Sequence, residues 1–464
     1  MIMTDIVTEL RRVLGEDAVL DRAALAGRAR NHWDPAPLEA RALVRPRNTQ
    51  EVSTVLRLCH AAAQSVVVHG GLTGVCDGDR ATGEDIVLSL ERMAAIEEVD
   101  PMGRTATVQA GCPLYALQQA AEAHGLLFPL DLGARGSCTL GGNAATNAGG
   151  INVIRYGMMR ALVLGLEAVL ADGTVISAMN HMLKNNSGYD LKQLFIGSEG
   201  TLGVVTRLVV MLKERPISTN TALLAVDGAD RLLRLLRATD RRLGATLSSF
   251  EAMWGDYYRA ATEAGWRHSP LGREHEFYVI VEARGADPQE DAPRFEAVMQ
   301  AVHEDGLIVD AVLPKSESER EHIWAIRENF DAVLQRKPLF LYDISLPLRQ
   351  MLPYVEELKQ QLRALWPHSE FFALGHLGDG NLHFFIAPHS DSADEATLHA
   401  RCDRAVYQPL QARGGSVSAE HGIGLQKKVW LGMSRSQSEI ALMKTLKRAL
   451  DPTAILNPGK VIDC

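Results

Sequence analysis

Three histidines and one glutamate lie on two glycine-rich turns in the last quarter of the chain. The segment "GHLGDGNLHFF", residues 375–385, carries His376 and His383 around a Gly-Asp-Gly turn. The segment "SAEHGIG", residues 418–424, puts Glu420 directly before His421. Imidazole and carboxylate groups are common metal ligands and also the usual proton acceptors in catalysis. These four residues could therefore form a metal site, a proton-transfer site, both, or only two loops.

The spacing of the first two histidines favours a metal. If the flanking apolar runs form a hairpin, His376 and His383 stand opposite each other with Cβ atoms roughly 5 Å apart. The intervening Asp379 is then part of the turn and not a ligand. Two histidines and one carboxylate with open positions suit Zn, Mn or Fe(II), which makes Glu420 the third ligand. In an extended backbone His421 points away from Glu420 and stays available as a base.

Length, charge and cysteine spacing limit the classes of protein to which this sequence can belong. A chain of 464 residues is too long for one core and should divide into two or three domains. A net charge of −9 argues against a nucleic-acid or anionic-membrane partner. The six cysteines show no paired spacing, and the N-terminal segment is charged and amphipathic, which predicts a reducing cytoplasm. No stretch approaches the roughly 20 apolar residues of a membrane span.

Hydrophobic patterning predicts an α+β fold in more than one domain. From about residue 38 to 215, short apolar runs alternate with helical patterns, whereas longer strands and helices follow residue 215. We expect a first domain over 1–215, a second over 216–413 on a sheet covered by helices, and a C-terminal segment over 414–464. That segment carries the Glu-His pair and should dock back on the first domain.

The first domain contains three glycine-rich segments that could enclose a nucleotide. The segment "VVVHGGLTG", residues 66–74, follows a strand pattern and can aim several backbone N–H groups at an anion. The segment "GARGSCTLGGNAATNAGG", residues 133–150, suits backbone wrapped against a large flat ligand, and "FIGSEGTLGVVT", residues 195–206, is the third. A tight turn in a sheet and a structural glycine coil are the alternatives for the first two segments.

Six motifs, four of which repeat or extend the segments above, complete a resemblance to a known family. They are "FPLDLGARGSCTLGGNAATNAGG", "RYGMMRALVLGLEAVLADGT", "NNSGYDLKQLFIGSEGTLG", "GHLGDGNLH", "SAEHGIG" and "LDPTAILNPGK". Together with the glycine segments, they resemble the vanillyl-alcohol-oxidase-type flavoproteins, and among these the D-2-hydroxyacid dehydrogenases, most of all those acting on D-2-hydroxyglutarate. The resemblance covers residues from about 40 to the C-terminus. It implies a two-part FAD-binding domain and an α+β cap domain on an antiparallel sheet.

The resemblance also implies FAD and the residues that hold it. Because some relatives tether the flavin through a Gly-Gly-His pattern, whereas His69 precedes the glycines here, we expect noncovalent FAD. The implied FAD residues are Gly70, Gly71, Leu72, Thr73, Gly74, Pro129, Leu132, Gly133, Ser137, Gly141, Gly142, Ala145, Thr146, Asn147, Glu199, Gly200, Val204, Val205 and Asn457.

For the reaction, the resemblance implies a divalent metal, most readily Zn, on His376, His383 and Glu420, with His421 as the base. It implies that Arg327 binds the substrate carboxylate, although a helix arginine is more often a surface ion-pair partner. Lys460 would reach the substrate with the C-terminal segment or simply cap the chain. The expected reaction is hydride transfer from a D-2-hydroxy acid to the flavin, which leaves a 2-oxo acid.

The substrate side chain is where the sequence departs from its relatives. Enzymes acting on D-2-hydroxyglutarate hold the distal carboxylate with a threonine, a lysine and an asparagine at the places of Asp331, Leu341 and Phe385. An acid and two apolar side chains would leave that carboxylate unpaired, which predicts a monocarboxylate with a small or apolar side chain. D-2-hydroxyglutarate itself, and a metal-free flavin oxidase of alditols or sugars, are the alternatives. A quinone, an electron-transfer flavoprotein or oxygen could be the electron acceptor, and homodimerisation is left open.

Overall fold

The fold consists of two compact units. The computed structural model describes residues 5–263, 268–389 and 394–464. The first unit comprises the described residues of Met1–Gly149, Gly157–Arg215 and Glu420–Cys464, and the second comprises those of Gly150–Tyr156 and Pro216–Ala419. The short stretch Gly150–Tyr156 therefore belongs to the second unit, although it lies within the sequence of the first.

The strands and helices follow one another along the chain within these limits. The strands are β1 (Val19–Asp21), β2 (Ala42–Val44), β3 (Val66–His69), β4 (Ile86–Ser89), β5 (Ile96–Asp100), β6 (Thr105–Gln109), β7 (Leu126–Leu127), β8 (Val163–Val169), β9 (Val175–Ala178), β10 (Val204–Met211), β11 (Lys213–Glu214), β12 (Ser218–Val226), β13 (Leu247–Trp254), β14 (Phe277–Gly285), β15 (Asp310–Val312), β16 (Phe340–Ser345), β17 (Glu370–His376) and β18 (Asn381–Ala387). The helices are α1 (Ile6–Leu14), α2 (Arg22–Leu25), α3 (Thr49–Ala61), α4 (Leu114–Glu122), α5 (Leu140–Thr146), α6 (Val153–Tyr156), α7 (Met159–Leu162), α8 (Lys192–Phe195), α9 (Ala229–Leu243), α10 (Gly255–Ala261), α11 (Pro288–Glu304), α12 (Glu317–Arg327), α13 (Asp331–Leu334), α14 (Leu348–Leu365), α15 (Glu395–Tyr407) and α16 (Gln437–Leu450).

The first unit is built on two main sheets. One sheet has the order β1-β2-β4-β3, in which β2, β4 and β3 run parallel and β1 runs antiparallel at the edge. The other is antiparallel, with the order β5-β6-β10-β8-β9. A hairpin turn at Asp172-Gly173 joins β8 to β9, and Gly173 has the positive φ of 87° that such a turn needs.

Helix α3 shows how the sequence produces this unit. Asn48 is its N-cap, because the Asn48 side chain accepts a hydrogen bond from the Glu51 amide at 2.9 Å. Four apolar residues spaced along one face of α3 are fully buried in the core: Val52, Val55, Leu56 and Cys59.

The C-terminal segment of the chain forms part of the first unit. Residues after Glu420 include α16 and a final stretch that runs beside β3, where Val66 and Leu456 form a parallel bridge. The Asn457 side chain accepts from the Val68 amide at 2.9 Å and donates to the Glu199 carbonyl at 2.6 Å. One asparagine thus connects β3, the third glycine-rich segment and the end of the chain.

The second unit is one antiparallel sheet of seven strands with helices packed on it, as the sequence predicted. Its order is β15-β12-β14-β13-β17-β18-β16. Helices α12 and α13 are separated by a break after Arg327. The break puts Arg327 at a helix end, with its guanidinium directed at a sheet residue.

Two further features concern membrane-spanning helices and the pairing of cysteines. No helix in the described residues is long and apolar enough to cross a membrane. All six cysteines are free thiols, and five of them are buried.

Candidate active site

The two histidines of the second unit lie on a hairpin, but its register differs from the prediction. The strands β17 and β18 pair Leu374 with His383, so His376 and His383 are diagonal neighbours and not opposite each other. The turn is a short 3-10 helix, Leu377–Asp379, followed by Gly380 in the left-handed conformation. This tighter turn shifts the pairing by two residues, which keeps both rings on one face. Their centroids are 5.4 Å apart at an interplanar angle of 86°.

His376 is held by a buried glutamate that lies opposite it in the sheet. Glu251 of β13 pairs in register with His376, and its Oε1 lies 2.7 Å from His376 Nδ1. The Glu251 side chain is only 1% exposed. When Nδ1 of a histidine bonds a carboxylate, the ring is fixed in the tautomer and orientation that direct Nε2 at a metal.

His383 has a similar carboxylate beside it. Asp343 of β16 pairs with His383 in register, and its Oδ1 lies 3.8 Å from His383 Nδ1. Asp343 is fully buried and accepts hydrogen bonds from the Asn381 amide group at 2.9 Å and the Ala419 backbone amide at 3.0 Å. Since Glu420 follows Ala419 directly in the chain, Asp343 fixes the backbone immediately before the predicted third ligand.

Arg327 shares Glu251 with His376. Its Nε donates to Glu251 Oε2 at 3.0 Å, and its side chain is almost completely buried. Burial alone raises the pKa of Glu251, but His376 and Arg327 outweigh burial and bring that pKa below its ordinary value. The two terminal nitrogens of Arg327 donate to no acceptor among the described residues. They form the planar fork that binds a carboxylate in two parallel hydrogen bonds.

An apolar patch adjoins these groups on the same face of the sheet. It consists of Phe330, Leu341, Phe372 and Phe385. Leu341 pairs directly with Phe385 across β16 and β18, two residues along from the Asp343–His383 pair. The Phe385 ring lies 5.8 Å from that of Phe330, and the Arg327 guanidinium carbon lies 5.7 Å from the Phe330 centroid. The patch is thus continuous from Leu341 to the arginine.

The backbone that carries the Glu-His pair is fixed within the first unit. The Glu199 carboxylate accepts hydrogen bonds from the Ile423 amide at 2.7 Å and the Gly424 amide at 2.8 Å. Gly424 has a positive φ of 52°, and a Cβ there would lie 1.9 Å from the Cys76 carbonyl oxygen. Only glycine fits so close an approach. His421 is therefore attached to a backbone turn that is held by the third glycine-rich segment and by Cys76, which follows the first.

The three glycine-rich segments converge in the first unit, as the sequence predicted. A Cβ on Gly71 would lie 2.2 Å from the Ser137 carbonyl oxygen, so the first and second segments are in direct backbone contact. The Glu199 amide donates to the Ala145 carbonyl at 2.8 Å, which joins the third segment to the second.

Buried polar atoms in this region fit a bound nucleotide. Thr139 Oγ1, Asn143 Nδ2 and Lys460 Nζ are buried and have no hydrogen-bond partner among the described residues. A Cβ on Gly70 would lie 2.8 Å from Thr139 Oγ1, so this hydroxyl lies beside the first glycine turn. Unsatisfied buried donors at a glycine-rich turn are what a phosphate or a flavin edge would satisfy.

Several residues implied as FAD contacts have structural roles here. The Asn147 side chain accepts from the Arg160 amide at 2.8 Å and stabilises the end of α5. The side chains of Glu199 and Asn457 form hydrogen bonds with backbone atoms, as described above. Val204 and Val205 are core residues of β10. The other implied FAD residues also lie in the first unit: Leu72, Thr73, Gly74, Pro129, Leu132, Gly133, Gly141, Gly142, Thr146 and Gly200.

The substrate residues divide between the units. Arg327, Leu341 and Phe385 belong to the second unit, whereas Lys460 belongs to the first. Asp331 begins α13 and is exposed to solvent.

The comparisons with known proteins decide the family. The family model for the C-terminal domain of FAD linked oxidases matches residues 215–461, and the family model for the FAD binding domain matches residues 40–178. A bovine protein named D-2-hydroxyglutarate dehydrogenase, mitochondrial, is 41% identical over 91% of this chain and 77% of its own length. The chain belongs to the FAD-linked D-2-hydroxyacid dehydrogenases.

Two further similarities complete the comparison. A Schizosaccharomyces pombe protein, provisionally named a mitochondrial D-lactate dehydrogenase, is 38% identical over 90% of this chain and 81% of its own length. The crystal structure of p-cresol methylhydroxylase covers 99% of this chain and 96% of its own, with a TM-score of 0.76 at 15% identity. The predicted fold of this D-2-hydroxyacid dehydrogenase is confirmed, and so is FAD as its cofactor. Since both relatives are mitochondrial by name, a cytoplasmic location stays a prediction.

Sequence reasoning missed the two carboxylates beside the histidines. Glu251 lies in the strand "LSSFEAMW" and Asp343 in "FLYDIS", each the one charged residue of a largely apolar strand. A lone acid inside an apolar strand is costly to bury unless it has a partner, and this was the available signal.

Proposed function

We propose that this enzyme oxidises D-2-hydroxy monocarboxylates with apolar side chains, and that it needs a divalent metal. The observation that carries the substrate proposal is the direct pairing of Leu341 with Phe385 beside the Asp343–His383 pair. A second carboxylate of the substrate at this patch would lose its hydration without gaining a cation, which costs several kcal/mol. Arg336 lies 5.0 Å from the Phe372 ring, but Glu370 already engages its guanidinium.

The metal proposal is supported by the surroundings of His376 and His383. Both rings have a carboxylate oxygen within 4 Å of Nδ1, at 2.7 and 3.8 Å, and both lie on one sheet face. The hydrogen-bonded pair of Glu251 and His376 is typical of a metal-ligating histidine, because the carboxylate orients the ring and raises its basicity, and Asp343 lies close enough to His383 for an electrostatic interaction. We propose Glu420 as the third ligand, since Asp343 and Glu199 fix the backbone on either side of it. The nitrogen and oxygen donors suit Zn best, with Mn or Fe(II) as alternatives.

In the proposed reaction each residue has one task. The terminal nitrogens of Arg327 bind the substrate carboxylate, and Glu251 keeps the guanidinium in place through Nε. The apolar patch excludes water around the substrate side chain. His421 accepts the hydroxyl proton on an imidazole nitrogen. His376, His383 and Glu420 would hold the metal, which would lower the pKa of the substrate hydroxyl. The glycine-rich segments of the first unit would hold FAD, which would supply the hydride acceptor.

A substrate panel tests this function. We would measure kcat/KM with a dye acceptor for D-lactate, D-2-hydroxyisocaproate, D-mandelate and D-2-hydroxyglutarate, and for the L enantiomers. The proposal expects an apolar monocarboxylate to be preferred over D-2-hydroxyglutarate by at least roughly tenfold, and turnover to stop with a strong chelator and return with Zn or Mn. A preference for D-2-hydroxyglutarate would contradict the substrate proposal and favour the activity named for the bovine relative. Full turnover in chelator with no residual metal would contradict the metal proposal.

A further inference from the structure

Lys460 is a buried cation that the protein itself does not satisfy. Its side chain belongs to a residue only 2% exposed, and its Nζ has no hydrogen-bond acceptor among the described residues. An ammonium group has three donors, and leaving all three unpaired inside a protein is costly. Burial lowers the pKa of Lys460 to about 8 against the opposing effect of nearby carboxylates. The unpaired ammonium therefore destabilises the apoprotein, and a ligand that accepts its hydrogen bonds would offset this loss of stability.

The groups around Lys460 identify where that ligand would lie. The charge of Lys460 acts on His69, directly before the glycine turn Gly70–Gly74, and on Asp77 and Asp79, directly after it. The carboxylates of Asp85 and Glu199 also act on the ammonium. The glycine turn is the segment whose backbone N–H groups can bind a pyrophosphate. The Lys460 amide donates to the Asn457 carbonyl at 3.3 Å, and the Asn457 side chain accepts from the Val68 amide at 2.9 Å, in the strand that leads into this turn. Lys460 is thus near that turn and among acids that would otherwise repel an anion.

Lys447 provides the contrast within the same unit. It is also buried, at 5% exposure, but its Nζ donates to the Thr201 carbonyl at 2.8 Å, the Leu456 carbonyl at 2.8 Å and the Asp451 carboxylate at 2.5 Å. All three donors of Lys447 are used, so this lysine holds the fold together. The two lysines are therefore buried to a similar degree, and they differ in whether the protein supplies hydrogen-bond acceptors for the ammonium group.

We propose that the Lys460 ammonium binds the pyrophosphate of FAD. In the bound state the phosphate oxygens accept the hydrogen bonds that the apoprotein leaves unmade, and the ammonium offsets the surrounding carboxylates. The inference rests on FAD binding by the first unit and is independent of the metal and substrate proposals. It assigns Lys460 to the cofactor and not to the substrate.

The test compares Lys460→Met with Lys447→Met by binding and melting, without turnover. Apoprotein would be prepared from each purified holoprotein, and dissociation constants measured for FAD and for ADP-ribose, which has the pyrophosphate but no flavin. Loss of a charged hydrogen bond should weaken both ligands in Lys460→Met by a similar factor, roughly 10- to 100-fold. The apoprotein of Lys460→Met should melt at a higher temperature than that of the wild type at pH 7. Lys447→Met should instead lower the apoprotein melting temperature.

Each other outcome overturns the proposal. Unchanged affinity for both ligands in a folded Lys460→Met protein would mean that the ammonium does not contact the cofactor. Weaker FAD binding with unchanged ADP-ribose binding would assign the contact to the flavin. Lys460→Arg, which keeps the charge, provides a second variant: if Lys460→Met does not fold, Lys460→Arg should still retain more FAD affinity than Lys460→Gln. Equal losses in Lys460→Arg and Lys460→Gln would also contradict a role for the charge.

Discussion

Glu251 Oε1 lies 2.7 Å from Nδ1 of His376, and the two residues pair in register on neighbouring strands. The other oxygen of Glu251 accepts from Arg327 Nε at 3.0 Å. One buried carboxylate thus orients both the proposed metal ligand and the proposed substrate-binding arginine. Moving either partner would also move the other, so metal binding and substrate binding should be coupled through Glu251.

Replacing Glu251 by Gln should weaken the binding of the metal more than the binding of FAD. The amide keeps the shape of the carboxylate but removes the charge that orients His376 and raises its basicity. We expect metal affinity to fall by roughly 10- to 100-fold, the range for loss of a carboxylate behind a ligating histidine. Competition with a chromogenic chelator measures the metal affinity, and absorbance of the released flavin measures FAD content.

Glu282→Gln is the matched control for this experiment. Glu282 is an equally buried carboxylate on the adjacent strand β14, but it binds Arg284 at 2.8 Å and Arg320 at 3.2 Å, and no histidine of the described ranges bonds to it. Its replacement should cost stability without changing metal affinity in the folded protein. If both variants lost metal equally, general destabilisation would explain the loss and the orienting role of Glu251 would be wrong.

The sequence predicted the histidine hairpin but not the carboxylates that hold it. His376 and His383 stood out because two histidines flanked a recognisable turn. Side chains alternate between the two faces of a strand, so a register that differs by two residues from the predicted one still leaves both histidines on the same face. Glu251 is 125 residues away from His376 in the chain, and pairing of β13 with β17 is a property of the whole sheet. No local pattern encodes which distant strands become neighbours.

His421→Ala should separate proton transfer from metal binding. The proposed base is not a proposed metal ligand, so metal and FAD content should stay as in the wild type. Flavin reduction by a D-2-hydroxy acid should slow by roughly 10²-fold or more, the usual scale for a positioned base. Stopped-flow absorbance of the flavin under anaerobic conditions gives this rate. Loss of metal in His421→Ala would instead indicate that His421 is a ligand.

Lys460 should make the apoprotein less stable at neutral pH than at high pH. Its pKa is lowered to about 8 in the fold, against 10.5 ordinarily, so the unfolded chain binds more protons between these values. The destabilising contribution is therefore fully present below about pH 8 and disappears as the pH approaches 10.5.

Comparing wild type with Lys460→Met isolates this contribution, because the other titrating groups are common to both proteins. Those that act on Lys460 are His69, Asp77, Asp79, Asp85 and Glu199. Apo wild type should melt below apo Lys460→Met at pH 7, and the gap should narrow at pH 9 and above. With saturating FAD the order at pH 7 should reverse. A gap that does not change with pH would show that Lys460 keeps an ordinary pKa.

Leu341→Lys should shift the substrate preference towards D-2-hydroxyglutarate. Leu341 is 40% exposed and pairs with Phe385, so a lysine there can keep its ammonium hydrated while its stem covers the patch. The new cation would give the distal carboxylate a partner, and we expect the ratio of kcat/KM for D-2-hydroxyglutarate to that for D-lactate to rise by roughly 10-fold or more. Leu334→Lys is the control, because Leu334 is 43% exposed in the same unit but is not part of the apolar patch. It adds the same charge to the surface, so a general electrostatic effect on the dicarboxylate would appear in both variants. An equal rise in both, or none in Leu341→Lys, would show that the Leu341–Phe385 pair does not select the substrate.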